Sequence, residues 1–225
     1  MPDSEETGGP QAPQDERAAA ERAARDAVVE ARRQAALALI RTFGDPALRT
    51  KAGEVTRFDD SLSHEVARMG RIMGDALGVG LAATQLGVMH KLLVYRTAPD
   101  APLVAVANPR IEWMSQETEV GEEGCLSLPG VLLDVERAVH LRVSAKDQRG
   151  ESIAIEASGM DARVIQHEID HLDGVLILDR ATTEQRKEAM RILREGPPRD
   201  ATPERAASDH DHPDGASDDR QPAPA

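Results

Sequence analysis

Apolar residues recur at helical spacing in three segments of the chain, and capping predicts a helix in a fourth. The clearest is residues 59–77, where one helical face carries Leu62, Val66, Met69, Ile72, Met73, Ala76 and Leu77. Residues 159–172 repeat the spacing with Ala162, Ile165, Ile169 and Leu172. Residues 183–193 predict a terminal helix that Thr183 caps. Residues 15–41 are rich in Ala, Arg and Glu and favour a helix with an apolar stripe of Val28, Ala31, Ala35 and Leu39.

Shorter apolar runs predict strands at residues 91–96, 103–107, 131–135, 139–145 and 152–156. The last of these alternates Ile153 and Ile155 with polar residues, and Asp147-Gln-Arg-Gly150 is a hairpin-like turn before it. The order of elements predicts three regions. Residues 1–42 form an extension that is disordered at first and then helical, residues 43–195 a folded domain, and residues 196–225 a disordered acidic tail.

Composition narrows the class of protein. The 225 residues carry a formal net charge of −13, and such an acidic surface does not favour direct binding to nucleic acid. The N-terminus lacks the positive region and apolar core of a signal peptide. No apolar run reaches the ~18 residues that a membrane span needs. Cys125 is the only cysteine and forms no intrachain disulfide, so these features together predict a cytoplasmic protein.

The strongest chemical signal is the run Gln166-His-Glu-Ile-Asp-His171 on the predicted helix. His167 and His171 are four residues apart, so both imidazoles lie on one helical face and can bind one metal ion. Glu168, between them, is placed to take a proton from a water molecule at that metal and to deliver it to a leaving group. The pattern predicts a metallohydrolase.

The third metal ligand has two candidate sources. A catalytic site of this kind holds three protein ligands and leaves one position open. Ile177 stands where HExxHxxGxxH peptidases place a third histidine, which excludes that class. Glu184 or Glu188 from the next helix would make a zinc peptidase, whereas the thiolate of Cys125 would make a Cys/His/His site.

Three motifs together resemble those of the peptide deformylases. They are Gly78-Val-Gly-Leu-Ala-Ala-Thr-Gln85, Glu123-Gly-Cys-Leu-Ser127 and Gln166-His-Glu-Ile-Asp-His171, in the order that the family has. The resemblance runs from about Phe43 to about Leu193. A dinucleotide-binding loop also contains closely spaced glycines, but it follows a strand and opens a helix. Here a predicted helix precedes the glycines, so that interpretation fails.

The resemblance implies an α+β fold, with mixed or antiparallel strands packed around a central HExxH helix. It implies that Cys125, His167 and His171 bind the metal, which in the family is usually Fe²⁺, with Zn²⁺, Ni²⁺ or Co²⁺ as substitutes. The reaction would be removal of the formyl group from formyl-methionine at the N-terminus of nascent polypeptides. Glu168 would serve first as general base and then as general acid.

The resemblance also assigns residues that contact the substrate. The side-chain amide of Gln85 and the backbone N–H of Leu126 would stabilise the oxyanion of the tetrahedral intermediate. Glycines such as Gly80 would let the substrate backbone approach closely. Arg137 matches an arginine that recurs after the cysteine motif, with a structural or substrate-side role. Three apolar residues close in sequence to the motifs would either line a pocket for the substrate methionine or pack in the core: Val79, Met160 and Val164.

In some members of that family the C-terminal helix docks on the ribosome, so ribosome association is a further expectation, although an acidic tail beyond that helix would repel RNA. Two other interpretations stay open. One is a zinc peptidase of the HExxH type, which would keep its metal when Cys125 is replaced by Ser. The other is a non-catalytic binding module on the deformylase scaffold, which would bind formyl-peptide without turnover.

Overall fold

A computed structural model describes residues 12–196. Its α-helices are α1 (Ala12–Leu37), α2 (Asp60–Asp75), α3 (Gly159–Leu172), α4 (Ile177–Arg180) and α5 (Thr183–Glu195). Its strands are β1 (Gly80–Ala82), β2 (Leu92–Tyr95), β3 (Val104–Met114), β4 (Thr118–Gly124), β5 (Leu132–Ala138), β6 (His140–Lys146) and β7 (Ser152–Ser158). Short 3₁₀ helices span Pro46–Arg49 and Ala83–Leu86. The expectations of disorder at the start of the chain and beyond residue 196 concern residues outside this description, apart from residues 12–14, which the structure assigns to α1.

The strands form two antiparallel sheets. The larger has the order β1-β2-β3-β6-β7, and β4 pairs with β5 in a separate hairpin. Helix α3 contacts β1, β2, β6 and β7 of the large sheet and also β5 of the hairpin. The predicted α+β fold, with strands packed around the HExxH helix, is therefore confirmed.

Helix α3 has the predicted bounds and is held by its apolar face. Ala162, Ile165 and Leu172 are buried in one cluster with Val143 and Leu93 of the large sheet. Because these side chains recur every three or four residues, burying them fixes the rotation of the helix about its axis. The same rotation turns His167 and His171 to one side, toward the β4–β5 hairpin.

Helix α2 ends in a Schellman turn built on Leu77. The N–H of Leu77 donates to the carbonyl of Gly74 (3.0 Å), and the N–H of Gly78 donates to that of Met73 (2.9 Å). Leu77 has a φ of +59°, a conformation usually left to glycine, and its side chain is 68% exposed. The apolar stripe predicted for this helix is confirmed as far as Ala76 and wrong for Leu77, because the left-handed residue turns its side chain into solvent.

Several predicted boundaries need correction. Strand β4 was not predicted, because its sequence Thr-Glu-Val-Gly-Glu-Glu-Gly is mostly polar and exposed and so lacks the alternation of a half-buried strand. Strand β1 was not predicted either, because three residues carry no period. Strand β3 continues seven residues beyond the predicted end at residue 107. The cap of α5 is Thr182 and not Thr183, since the Thr182 hydroxyl accepts the N–H of Gln185.

The predicted stripe on the first helix is also wrong. Val28, Ala31, Ala35 and Leu39 are all exposed, and α1 ends at Leu37. The chain instead contacts the core through Ala36, Leu37 and Ile40, which pack with residues of α2. An alanine-rich helix gives no clear apolar face, so sequence alone could not select the side that docks. Of the helices that the structure describes, none combines the length and the apolar composition that crossing a bilayer requires.

Candidate active site

Cys125, His167 and His171 meet at the junction of the hairpin and α3. Cys125 directly follows β4, and the two histidines lie one turn apart on α3. The Cys125 Sγ and one nitrogen of each imidazole lie within 4.8 Å of one another. Cys125 Sγ is 3.2 Å from Nε2 of His171, and the ring centroids of the histidines are 4.9 Å apart. Within residues 12–196 this is the only group of three such side chains with ligand atoms so close.

The charge state of Cys125 suits a metal ligand. Burial alone would raise the pKa of its thiol, but the facing His171 and His167 hold that pKa well below its usual value. The favoured form is therefore the thiolate, which is the form that binds metals. One thiolate and two imidazoles are a donor set that zinc and ferrous iron both accept.

Glu123 fixes the orientation of His167. Its Oε2 lies 3.0 Å from Nδ1 of His167, and because a carboxylate only accepts, Nδ1 carries the proton and the Nε2 lone pair remains for a metal. Burial would raise the pKa of Glu123, but hydrogen bonds from Arg137 and His167 lower that pKa to about 2. Nδ1 of His171 is buried and has no partner among the described residues. The donor set therefore fits a metal ion. Of the two imidazoles, that of His167 is oriented by its hydrogen bond to Glu123.

Arg137 connects this carboxylate to Asp170 on α3. Its Nε and Nη2 donate to the two oxygens of Glu123 at 2.9 Å, and its Nη1 donates to Asp170 at 2.6 Å. Asp170 also accepts two hydrogen bonds from Arg180, the last residue of α4. Arg137 is only 4% exposed, so in this structure its contacts are internal and it ties the hairpin to α3 and α4.

Glu168 is 3% exposed, and its Oε2 has no hydrogen-bond partner among the described residues. Burial raises the pKa of this carboxyl, although the charges of His167 and His171 oppose the shift. A buried carboxyl with a free oxygen and a raised pKa is suited to taking up a proton and then releasing it. Its neighbour in β1 is Gly80: a Cβ there would lie 2.9 Å from the carboxyl carbon of Glu168.

The side-chain amide of Gln85 is held in one orientation. Its Oε1 accepts the N–H of Ala82 at 2.9 Å, which directs Nε2 toward Ser127 Oγ at 3.2 Å and Cys125 Sγ at 3.9 Å. One N–H of the amide is therefore engaged by Ser127, and the other faces the Cys/His cluster. Leu126 follows Cys125, so its backbone lies at the same centre.

The apolar residues expected to meet the substrate differ in exposure. Val79 is 47% exposed and Met160 is 56% exposed, so both side chains are available at the surface. Val164 is buried in the core of the large sheet. Its Cγ1 would lie 2.9 Å from a Cβ on Gly80, so these two residues pack against each other below the site.

The other candidate ligands do not join the cluster. Glu184 and Glu188 lie on α5 and are not among the three residues whose ligand atoms converge. Glu188 instead accepts from Nε of Arg191 at 2.9 Å on the same helix. The geometry therefore favours Cys125 as the third ligand over the arrangement of a zinc peptidase.

Glu123, Ser127 and Arg163 were not singled out by the sequence reasoning. Glu123 and Ser127 both belong to the cysteine motif, which was the available signal, since residues flanking a ligand often orient it. Arg163, one turn before His167, carried no signal of its own. Its Nη1 donates to Oε1 of Glu123 at 2.9 Å.

Comparison with known proteins agrees with this geometry. Residues 37–187 match the family model described as polypeptide deformylase. A peptide deformylase of Thermotoga maritima is 46% identical over 147 residues, covering 65% of this chain and 88% of the relative. One of Acidothermus cellulolyticus is 46% identical over 156 residues, covering 69% and 85%.

Solved structures agree as well. A crystal structure of a peptide deformylase from Synechococcus elongatus in complex with actinonin is similar at a TM-score of 0.66 and 40% identity. It covers 71% of this chain and 88% of that one. The crystal structure of the Thermotoga maritima enzyme is similar at a TM-score of 0.62 and 46% identity, covering 64% and 96%.

Proposed function

This chain belongs to the peptide deformylase family of metal-dependent hydrolases, which remove N-formyl groups from nascent formyl-methionyl peptides, and we propose that Cys125, His167 and His171 hold its metal ion. The observation that carries the proposal is the convergence of their three ligand atoms within 4.8 Å. A metal bound there supplies Lewis acidity and makes a water molecule nucleophilic at neutral pH. From the family resemblance the resident ion is Fe²⁺, with Zn²⁺, Ni²⁺ or Co²⁺ as substitutes.

Glu168 moves the protons of the reaction. Its free Oε2 accepts a proton from the attacking water, and the same oxygen then donates that proton to the leaving amine of methionine. Burial supports this role, because it raises the pKa of the carboxyl toward the pH at which both transfers are needed. Gly80 and Val164 pack against the carboxyl and limit where it can lie.

Gln85 and Leu126 stabilise the charge that develops on the formyl oxygen. The N–H of Gln85 that Ser127 does not engage is directed at the cluster, and its orientation is set before substrate binds. The backbone N–H of Leu126 is the second donor. Donors fixed in this way stabilise an oxyanion without reorganising, which is why they contribute strongly to the rate.

The substrate approaches over β1. Val79 and Met160 are exposed apolar side chains, and they contact the methionine side chain. Because Gly80 has no side chain, the backbone of the peptide can lie close to the strand. Val164 contributes to the shape of the site, because it packs with Gly80 beside the carboxyl of Glu168.

The proposed setting is the cytoplasm, in association with the ribosome that presents the nascent chain. A reducing compartment protects a thiolate ligand from oxidation and so keeps it in its metal-binding form. The net charge of −13 makes direct binding to nucleic acid unfavourable, so we expect contact with ribosomal protein and not with RNA.

The test is release of formate from formyl-Met-Ala by protein loaded anaerobically with Fe²⁺, beside the variants Glu168→Gln and Cys125→Ser. We expect rapid release by the unaltered protein. We expect Glu168→Gln to retain the metal and lose turnover, and Cys125→Ser to lose the metal. Metal binding without release would indicate a non-catalytic module, and metal binding that survives Cys125→Ser would indicate the peptidase arrangement.

A further inference from the structure

Arg163 joins α3 to both strands of the β4–β5 hairpin. It lies on α3 one turn before His167, and its side chain is 12% exposed. Its Nη1 donates to the carbonyl of Val135 in β5 at 2.8 Å, and its Nη2 donates to that of Glu119 in β4 at 2.9 Å. A longer contact of 3.4 Å joins Nη1 to the carbonyl of Gly121. One guanidinium thus connects three carbonyl oxygens of the hairpin to the helix that carries both histidines.

Strand β4 is shaped to admit this guanidinium. A Cβ on Gly121 would lie 2.9 Å from both Cζ and Nη2 of Arg163, closer than real Cβ contacts come. The glycine therefore leaves the space that the guanidinium fills. A side chain at position 121 would force the guanidinium of Arg163 to shift.

The same guanidinium completes the environment of Glu123. Oε1 of Glu123 accepts from Arg163 Nη1 and from Arg137 Nε, each at 2.9 Å. Oε2 accepts from Arg137 Nη2 at 2.9 Å and lies 3.0 Å from His167 Nδ1. With two donors on each oxygen, the carboxylate cannot rotate without breaking a charge-assisted hydrogen bond. Arg137 is shared with Asp170, whereas Arg163 donates to Glu123 and to the hairpin.

We propose that Arg163 is a positioning residue that sets the affinity of the metal site. It acts through Glu123 to hold the ring of His167, and it holds the hairpin whose end carries Cys125. The inference rests on the proposed metal site and adds to it a residue that touches neither metal nor substrate. Partners that orient a metal ligand typically change metal affinity by roughly 10–100-fold when they are removed.

The test compares Arg163→Met and Arg163→Lys with Arg142→Met. Arg142 also pairs with a carboxylate, Glu156 at 2.9 Å, but on the solvent-exposed face of β6 and β7. Affinity for Co²⁺ is measured by competition with a chelator, the visible spectrum of bound Co²⁺ reports the ligand geometry, and the Tm of the metal-free protein reports folding. We expect roughly 10–100-fold weaker binding and an altered spectrum for Arg163→Met. The Co²⁺ affinity of Arg163→Lys should lie between those of the unaltered protein and Arg163→Met. The Co²⁺ affinity of Arg142→Met should match that of the unaltered protein.

A purely structural role predicts a different result. Arg163→Met would then lower the Tm of the metal-free protein yet bind Co²⁺ with unaltered affinity and spectrum, and the inference would be wrong. If Arg163→Met does not fold, the same measurements on Arg163→Lys test the inference. Lysine keeps the positive charge but lacks the planar guanidinium that binds several acceptors at once.

A double-mutant cycle tests the route through Glu123. In the Glu123→Gln background, we expect Arg163→Met to weaken Co²⁺ binding much less than it does in the unaltered protein. Equal effects in both backgrounds would show that Arg163 acts independently of Glu123 and would overturn the inference. Co²⁺ affinity that survives Cys125→Ser would instead overturn the metal site itself, and with it the inference, so the two failures are distinguishable.

Discussion

The carboxylate of Glu168 occupies the space that a side chain at Gly80 would need. A Cβ at position 80 would meet Oε1 of Glu168 and would lie 2.9 Å from its carboxyl carbon. The glycine motif and the HExxH helix therefore have complementary shapes where they pack together, although they are far apart in the chain. The glycine is required by the carboxyl that we propose as the proton carrier.

Gly80→Ala should therefore lower activity by displacing Glu168. The added methyl group also meets Val164 Cγ1 at 2.9 Å, so the carboxyl and α3 must shift to accommodate it. A displacement of about 1 Å at a catalytic group can cost roughly 100-fold in rate. Overpacking of this kind costs about 1–3 kcal/mol of stability. Formate release and thermal unfolding measure the two effects.

Gly74→Ala is the matched control. Gly74 lies in α2, and no atom lies within 4 Å of the position that its Cβ would take. We expect unchanged activity and a gain of roughly 0.5–1 kcal/mol in stability, because alanine is the better helix former. Full activity of Gly80→Ala would show that the added methyl group does not displace the carboxyl of Glu168.

Gln85→Leu should lower kcat by roughly 10²–10³ while KM changes little, since an oxyanion donor acts mainly in the transition state. Gln166→Leu is the comparison, because Gln166 is also a buried amide but donates to the carbonyls of Ala138 and Ala162, away from the cluster. The Gln166→Leu variant should lose stability, but its kcat should fall much less than that of Gln85→Leu. Equal losses of kcat in the two variants would argue against a specific role for Gln85.

The sequence predicted the parts of this molecule that have a strong local signal. Helix α3 has its predicted bounds because its apolar residues recur at helical spacing, and the HExxH motif is contained within it. Glu123 could not be assigned to His167, because they are 44 residues apart and meet only through the crossing of β4 over α3. Strand β4 itself was missed, since a Glu-rich strand has no apolar alternation.

Leu77→Gly should stabilise the protein. Leu77 sits at φ +59° in the turn after α2, and its side chain is 68% exposed, so little packing is lost when it is removed. A non-glycine residue in this conformation costs roughly 1–2 kcal/mol. Because glycine also loses more chain entropy on folding, we expect a net gain of about 0.5–1 kcal/mol. Urea denaturation measures the gain, and a loss of stability would mean that the Leu77 side chain packs more than its exposure indicates.

Asp179 should make stability depend on pH only in acid. Burial would raise the pKa of Asp179, but hydrogen bonds from Arg49 and from the N–H of Leu176 hold that pKa below its usual value near 3.9. A lowered folded-state pKa contributes stability that is present above the unfolded value and is lost as the pH falls through the folded one. The side chain is 40% exposed, so the contribution is about 0.2–1 kcal/mol.

Asp179→Asn is therefore expected to be less stable than the unaltered protein at pH 7, and the difference should shrink as the pH falls below about 4. The exposed loop residue Asp100, changed to Asn, serves as the control and should show a smaller difference in stability at every pH measured. Urea midpoints at pH 7, 5 and 3 measure both. A difference between Asp179→Asn and the unaltered protein that is constant over this range would show that the ionised form of Asp179 contributes nothing.

Removing residues 1–31 should leave stability and activity nearly unchanged, because every α1 side chain described up to Ala35 is exposed. Removing residues 1–41 should be costly. It deletes Ala36, Leu37 and Ile40 from the core and the Arg41 N–H that donates to the carbonyl of Gln85 at 2.7 Å. Loss of one large buried aliphatic side chain alone costs roughly 2–5 kcal/mol. Activity should also fall, because the hydrogen bond lost is to the backbone of Gln85. Comparable Tm values for the two truncations would place the docking contacts elsewhere and would contradict the role assigned to Ile40.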